Sequence, residues 1–137
     1  MDINIVAPLG GGAPVGQTTA LTKLFVLRGA NLNITTDQAF TKVGSFTRFA
    51  VTSILARGLT GNALIAAGGI YTAAAKGGTA IVAAGQAWGA LSALDKVLSL
   101  TLAALTDAQT ATPILSLTTA AGGAATADIH VFGYVLD

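Results

Sequence analysis

Residues Gly11–Thr18 (GGAPVGQT) have the spacing of a phosphate-cradling GxxxxGK[ST] loop, with Gln17 at the lysine position. That lysine supplies the positive charge that reaches the β- and γ-phosphates, so a neutral amide removes the main electrostatic attraction. The residues that follow, TTALTKLFVLR, read as strand, whereas a phosphate loop must open a helix whose N-terminus faces the anion. Pro14 stiffens the loop further. The stretch reads as a linker.

His130 is the sole histidine. General-base or metal chemistry needs partners, and the only acid near it in sequence is Asp128, two residues away on the same strand face. A lone imidazole on a mostly apolar strand reads as a packed or hydrogen-bonded residue at the core edge. The acids are all aspartates: Asp2, Asp37, Asp95, Asp107, Asp128 and Asp137. A carboxylate pair for glycoside hydrolysis would have to come from these. Each lies near a turn or terminus, and Asp37, Asp107 and Asp128 read as turn or strand-start residues bonded to local backbone. Cysteine is absent, which excludes disulfides, thiol catalysis and thiolate metal sites. The expectation is a chain without catalytic residues, cofactor or metal.

Binding chemistry leaves a few candidates. Tyr71 and Trp88 are possible contacts, because exposed aromatics anchor interfaces, and ordinary core packing explains them equally well. Arg48-Phe49 sets a cation beside an aromatic, as single-strand nucleic-acid binding requires, but seven basic residues scattered along the chain make no groove. The sequon Asn33-Ile34-Thr35 has no secretory context, since Asp2 stands where a signal would carry Lys or Arg and the apolar run is too short.

The elements that must position these residues follow from composition and pattern. A chain of 137 residues makes one domain able to bury a core without staples. Charged residues are 9% and the net charge is +1, which gives no basic footprint for nucleic acid. Low charge on a small chain points to a surface partly covered by a partner. Glu is absent and Asp favours turns, which argues against exposed helices.

Residues 1–20 read as an extended arm with a Gly/Pro/Thr connection, and 21–137 as a single domain. Short apolar runs then alternate with turn residues. Leu21–Arg28 reads as a strand ending at Gly29, followed by Asn31–Thr36 and a turn at Asp37. Phe46–Arg57 puts Phe49, Val51 and Leu55 on one parity. Lys96–Leu102 alternates with Leu98, Leu100 and Leu102 on one face, and Ile114–Thr119 sets Leu115 and Leu117 inward. Asp128–Leu136 is apolar on both parities and reads as a central, doubly covered strand. Such runs spaced by Gly/Asn/Asp/Thr turns predict a β-sandwich or small barrel. A helix survives as an option only around Trp88–Asp95.

The stretch from Gly77 to Leu94 holds eighteen consecutive uncharged residues, near the lower limit of a bilayer span. Most are Ala, Gly, Thr and Ser, Gln86 is costly mid-bilayer, and no basic cluster flanks either end. The reading is instead short strands and glycine turns, with Ile70, Ile81 and Val82 in the core and Lys76 at a loop tip.

Three ordered segments carry a resemblance: AAGGIYTAAAKGGTAIVAAGQAW (66–88), KVLSLTLA (96–103) and ILSLTTAAGGAATADIHVFGYVLD (114–137). Together they are similar to small virion proteins of tailed bacteriophages and prophages, all within the part of the chain from residue 66 onward. The resemblance implies a capsid cement, or head decoration, protein with a jelly-roll-like antiparallel β-sandwich and an extended N-terminal arm. It implies a homodimer or homotrimer on the outer surface of the capsid, made in the bacterial host cytoplasm and bound to the major capsid protein. Neither nucleic acid nor membrane is an expected partner. No catalytic residue carries over. The expected partner contacts are Ile3, Ile5 and Val6 of the arm, which could add a strand to a neighbour's sheet edge, with Tyr71 and Trp88. A tail-associated or fibre module of the same phage type is the alternative.

Overall fold

A computed structural model describes residues 21–103 and 108–137. Among the described residues the alternating runs become nine strands: β1 (Thr22–Asn31), β2 (Gln38–Ala39), β3 (Thr41–Lys42), β4 (Phe49–Gly61), β5 (Ala67–Ala73), β6 (Gly77–Val82), β7 (Val97–Ser99), β8 (Ile114–Thr119) and β9 (Ala125–Val135). All pair antiparallel, in a five-stranded sheet ordered β3-β1-β9-β4-β7 and a four-stranded sheet ordered β2-β8-β5-β6.

The pairings β1 with β9, β2 with β8, β4 with β7 and β5 with β6 make one long hairpin. Successive strand pairs fall alternately in the two sheets, and the contacts β9 with β4 and β8 with β5 hold the roll together. That is the jelly-roll arrangement, with β3 as an added edge piece. The hairpin turns at Ala74–Lys76, where Ala75 and Lys76 adopt left-handed φ of 56° and 61°, so Lys76 does stand at a loop tip.

The inward faces close on a core that includes Leu24, Phe25, Ile54, Ile70, Ile81, Trp88, Leu115, Leu117, Ile129 and Val131. Phe25, Phe46 and Phe49 pack edge to face at 4.9–5.7 Å between centroids, an arrangement that aligns ring edges with ring faces. β9 is central, between β1 and β4, and its Gly133 is required by close approach: a Cβ there would lie 1.9 Å from the Ala50 carbonyl oxygen.

Bulges account for where the strand readings fail. Gly29, at φ 60°, does not end β1 but sits inside a bulge, and the strand continues to Asn31. Asn31–Thr36 is therefore no separate strand, and Leu32 begins a turn. In β4 a bulge between Val51 and Ser53 shifts the parity, so Ile54 and Ala56 face the core while Leu55 points outward. A second shift between Arg57 and Thr60 brings Leu59 back inside. Trp88–Asp95 contains no helix. β7 is only three residues long, yet Leu100 is buried and Leu98 and Leu102 half-buried, while Val97, Ser99 and Thr101 are exposed, as the alternation required.

Candidate functional site

Three of the described aspartates, Asp37, Asp128 and Asp137, hold backbone across the fold. The Asp37 carboxylate accepts the Ala75 N–H at 2.8 Å. This bond, the Ser116 hydroxyl and the Lys76 charge hold its pKa below the usual carboxylate value. Lys76 Nζ donates to Ser116 Oγ at 3.0 Å. A serine between a lysine and an aspartate resembles a nucleophile with its base. Ser116, however, is 1% exposed, and a substrate carbonyl has no route to its hydroxyl. The three residues fasten the β5–β6 turn onto β8 and the entry to β2.

Asp128 accepts the Gly29 N–H at 2.7 Å, across the β1 bulge. Asp137 accepts the N–H groups of Thr47 and Arg48 at 2.6 and 2.7 Å, and these bonds lower its pKa, with the Arg48 amide foremost. Asp37 stands just before β2, as the strand-start reading has it, but Asp128 lies within β9, and they bond backbone 38 and 99 residues away, respectively, rather than local backbone. Asp2 and Asp107 lie outside the described residues. No three metal-ligating side chains converge among the described residues. Gln38 caps the open edge of β1 where β3 stops. Its side-chain amide accepts from the Asn31 N–H and donates to the Asn31 carbonyl, both at 2.8 Å.

His130 lies on the outward face of β9, beside Val26 of β1 and Leu55 of β4. It is 7% exposed, and neither ring nitrogen has a hydrogen-bond partner. The reading as a packed residue holds, and the reading as a hydrogen-bonded one does not. Burial lowers its pKa from 6.5, Lys23, Arg28 and Arg57 lower it further, and Asp128 opposes them.

Neither predicted aromatic anchor is on the surface. Trp88 is fully buried, and its indole N–H donates to the Gly68 carbonyl at 3.1 Å. A core indole needs such a partner, which is why a tryptophan there reads like an interface residue in sequence. Tyr71 is also buried, outside the main core, on the face of β5 opposite Ile70. Among the described aromatics, Tyr134 at the end of β9 is the most exposed at 36%. The arm residues Ile3, Ile5 and Val6 lie outside the described residues.

The exposed apolar surface lies elsewhere. The β4–β5 loop presents Leu64 at 71% and Ile65 at 59% exposure. Leu64 separates two depressions. One, of about 280 Å³, is shared with Ala121–Ala124 of the β8–β9 loop. The other, of about 260 Å³, is shared with Gly89, Leu91 and Ser92 of the β6–β7 loop. Close backbone packing seats this ridge: a Cβ on Gly89 would meet the Leu64 carbonyl oxygen at 2.6 Å. The Asn33 side chain accepts the Gly122 N–H at 2.9 Å, steadying the adjoining loop. A firm apolar ridge between two hollows suits protein contact rather than catalysis. The sequence signal was an apolar pair inside a turn, GNALIAA, where parity has no meaning.

No helix among the described residues is long and apolar enough to cross a membrane. The chain matches no family model, no curated protein and no solved structure.

Proposed function

We propose that the protein is a non-enzymatic virion structural subunit, a cement or decoration protein on the outer surface of a phage head that clamps adjacent major capsid proteins. The observation that carries this reading is the firm apolar ridge Leu64–Ile65 at one end of an all-β body with few charges. The likeness of residues 66–137 to small virion proteins of tailed phages supplies the context. Each capsid contact can be weak, because a lattice repeats it and avidity multiplies modest affinities.

Copy number in purified virions tests the assignment. A cement subunit approaches the abundance of the major capsid protein, whereas a few copies per particle would transfer the protein to the tail. Leu64→Asp with Ile65→Asp tests the surface. The double variant should keep the wild-type melting temperature and lose retention on heads in sedimentation. Full retention would move the contact elsewhere.

A further inference from the structure

Among the described residues, His130 alone buries side-chain nitrogens that have no hydrogen-bond partner. A neutral imidazole carries one N–H donor and one acceptor nitrogen, and both stand idle in a ring only 7% exposed. Folded chains rarely leave buried polar groups in that state. Its neighbours decide what a proton would do to it. β1 sets Val26 directly opposite the ring, with Lys23 and Arg28 on the same strand. β4 sets Leu55 opposite from the other side, with Arg57 two residues on. β9 itself contributes Phe132, whose ring centroid lies 6.4 Å away, and Asp128, two residues back on the same face. β7, one strand further out, adds Ser99 and Val97, which carry no charge. The imidazole thus sits in an apolar setting with three cations near it, and Asp128 is the acid on its face.

Asp128 is already engaged. Its carboxylate accepts the Gly29 N–H at 2.7 Å and so ties β9 to the β1 bulge between Leu27 and Ala30. Its second oxygen is 3.9 Å from where a Cβ on Gly58 of β4 would stand. A buried imidazolium without an acceptor is costly, because two N–H groups and a charge are then unsatisfied. Moving the ring out would disturb Val26 and Leu55 on both paired strands. Turning Asp128 toward the ring needs only side-chain rotation along one strand.

We propose that His130 and Asp128 form an acid-operated catch on the β1 bulge: proton uptake by the ring draws the carboxylate off the Gly29 amide and frees Arg28–Gly29, while the sandwich stays closed. The ring gains one proton from solvent and no covalent bond between heavy atoms changes. Gly29 is suited to release, since it is exposed, holds a left-handed φ of 60°, and has open space where a Cβ would be. The inference concerns the free chain and does not rest on the virion assignment.

The test follows full-length, isotope-labelled protein by NMR as pH is lowered. His130 is the sole histidine, so its ring protons report the midpoint without assignment, and that midpoint is expected below 6.5. Through it, the Gly29 amide proton should move upfield and its protection from exchange should fall roughly tenfold or more. The amides of Ile54 and Val131, paired within the sheet, should keep their protection. His130→Gln, neutral at every pH, should hold the Gly29 amide fixed. Asp128→Asn keeps an acceptor for Gly29 but no charge for the ring, so it should also hold Gly29 fixed and should lower the ring midpoint. A Gly29 amide that stays bonded through the wild-type midpoint would overturn the proposal. Loss of protection at Gly29, Ile54 and Val131 together would also overturn it, making the proton a trigger of global unfolding. A Gly29 response that persists in either variant would do the same.

Discussion

Trp88 combines two roles that substitution can separate, because its ring fills the core and its N–H satisfies the Gly68 carbonyl. Trp88→Phe keeps most of the ring volume and strands that carbonyl, costing about 1–3 kcal/mol. Trp88→Ala adds a cavity and should cost about 3–5 kcal/mol in urea denaturation. His130 sets a pH dependence of known sign. Its folded pKa is depressed, so between 6.5 and the folded midpoint the unfolded chain binds more protons and stability falls as pH falls. His130→Leu should abolish that stage. Below it, Asp37 and Asp137 also have depressed pKa values, so their stabilisation is present above 3.8 and is lost as acid protonates them. The His130→Leu chain should therefore lose the fall in melting temperature that sets in as pH drops through 6.5 and keep the fall that sets in below 3.8.

Among the elements, β4 carries a bulge whose exchange of faces substitution can read. Ile54→Ala should cost about 2–5 kcal/mol and Leu55→Ala much less, whereas an unbroken alternation through Phe49 and Val51 requires the reverse. The same strand shows where reading a sequence succeeds. β8 was legible to the residue, because Pro113 opens it and Leu115 and Leu117 alternate without interruption. The central place of β9 was legible from its apolar residues on both parities, but the strand is not doubly covered: on its outward face Thr126 and Tyr134 are exposed and Asp128 and Phe132 half-buried. Bulges were not, because one inserted residue leaves composition untouched while exchanging the two faces, and Leu55 shows the result. Tyr71 and Trp88 were ambiguous for a related reason: an aromatic with a polar tip suits a core with one free carbonyl as well as an interface. The Leu64–Ile65 ridge escaped notice because turns carry no period to violate.

The whole molecule is a rolled hairpin whose outermost pair joins residues about a hundred positions apart, such as Val26 with His130. Folding must close those long loops before the sheet rewards it, so refolding should occupy milliseconds to seconds in stopped-flow fluorescence of Trp88. A submillisecond phase carrying the full amplitude would contradict that. Gly133→Ala should hinder closure most visibly, because it forces β9 away from the Ala50 carbonyl at the centre of the sheet. The central position of β9 also bears on synthesis. As the ribosome extrudes the chain, β1 and β4 emerge early with a strand-wide gap between them, which only residues 125–135 can fill. A prematurely terminated product therefore lacks the strand that joins its two halves. It presents open sheet edges to proteases, so only chains translated through β9 should persist in the cell.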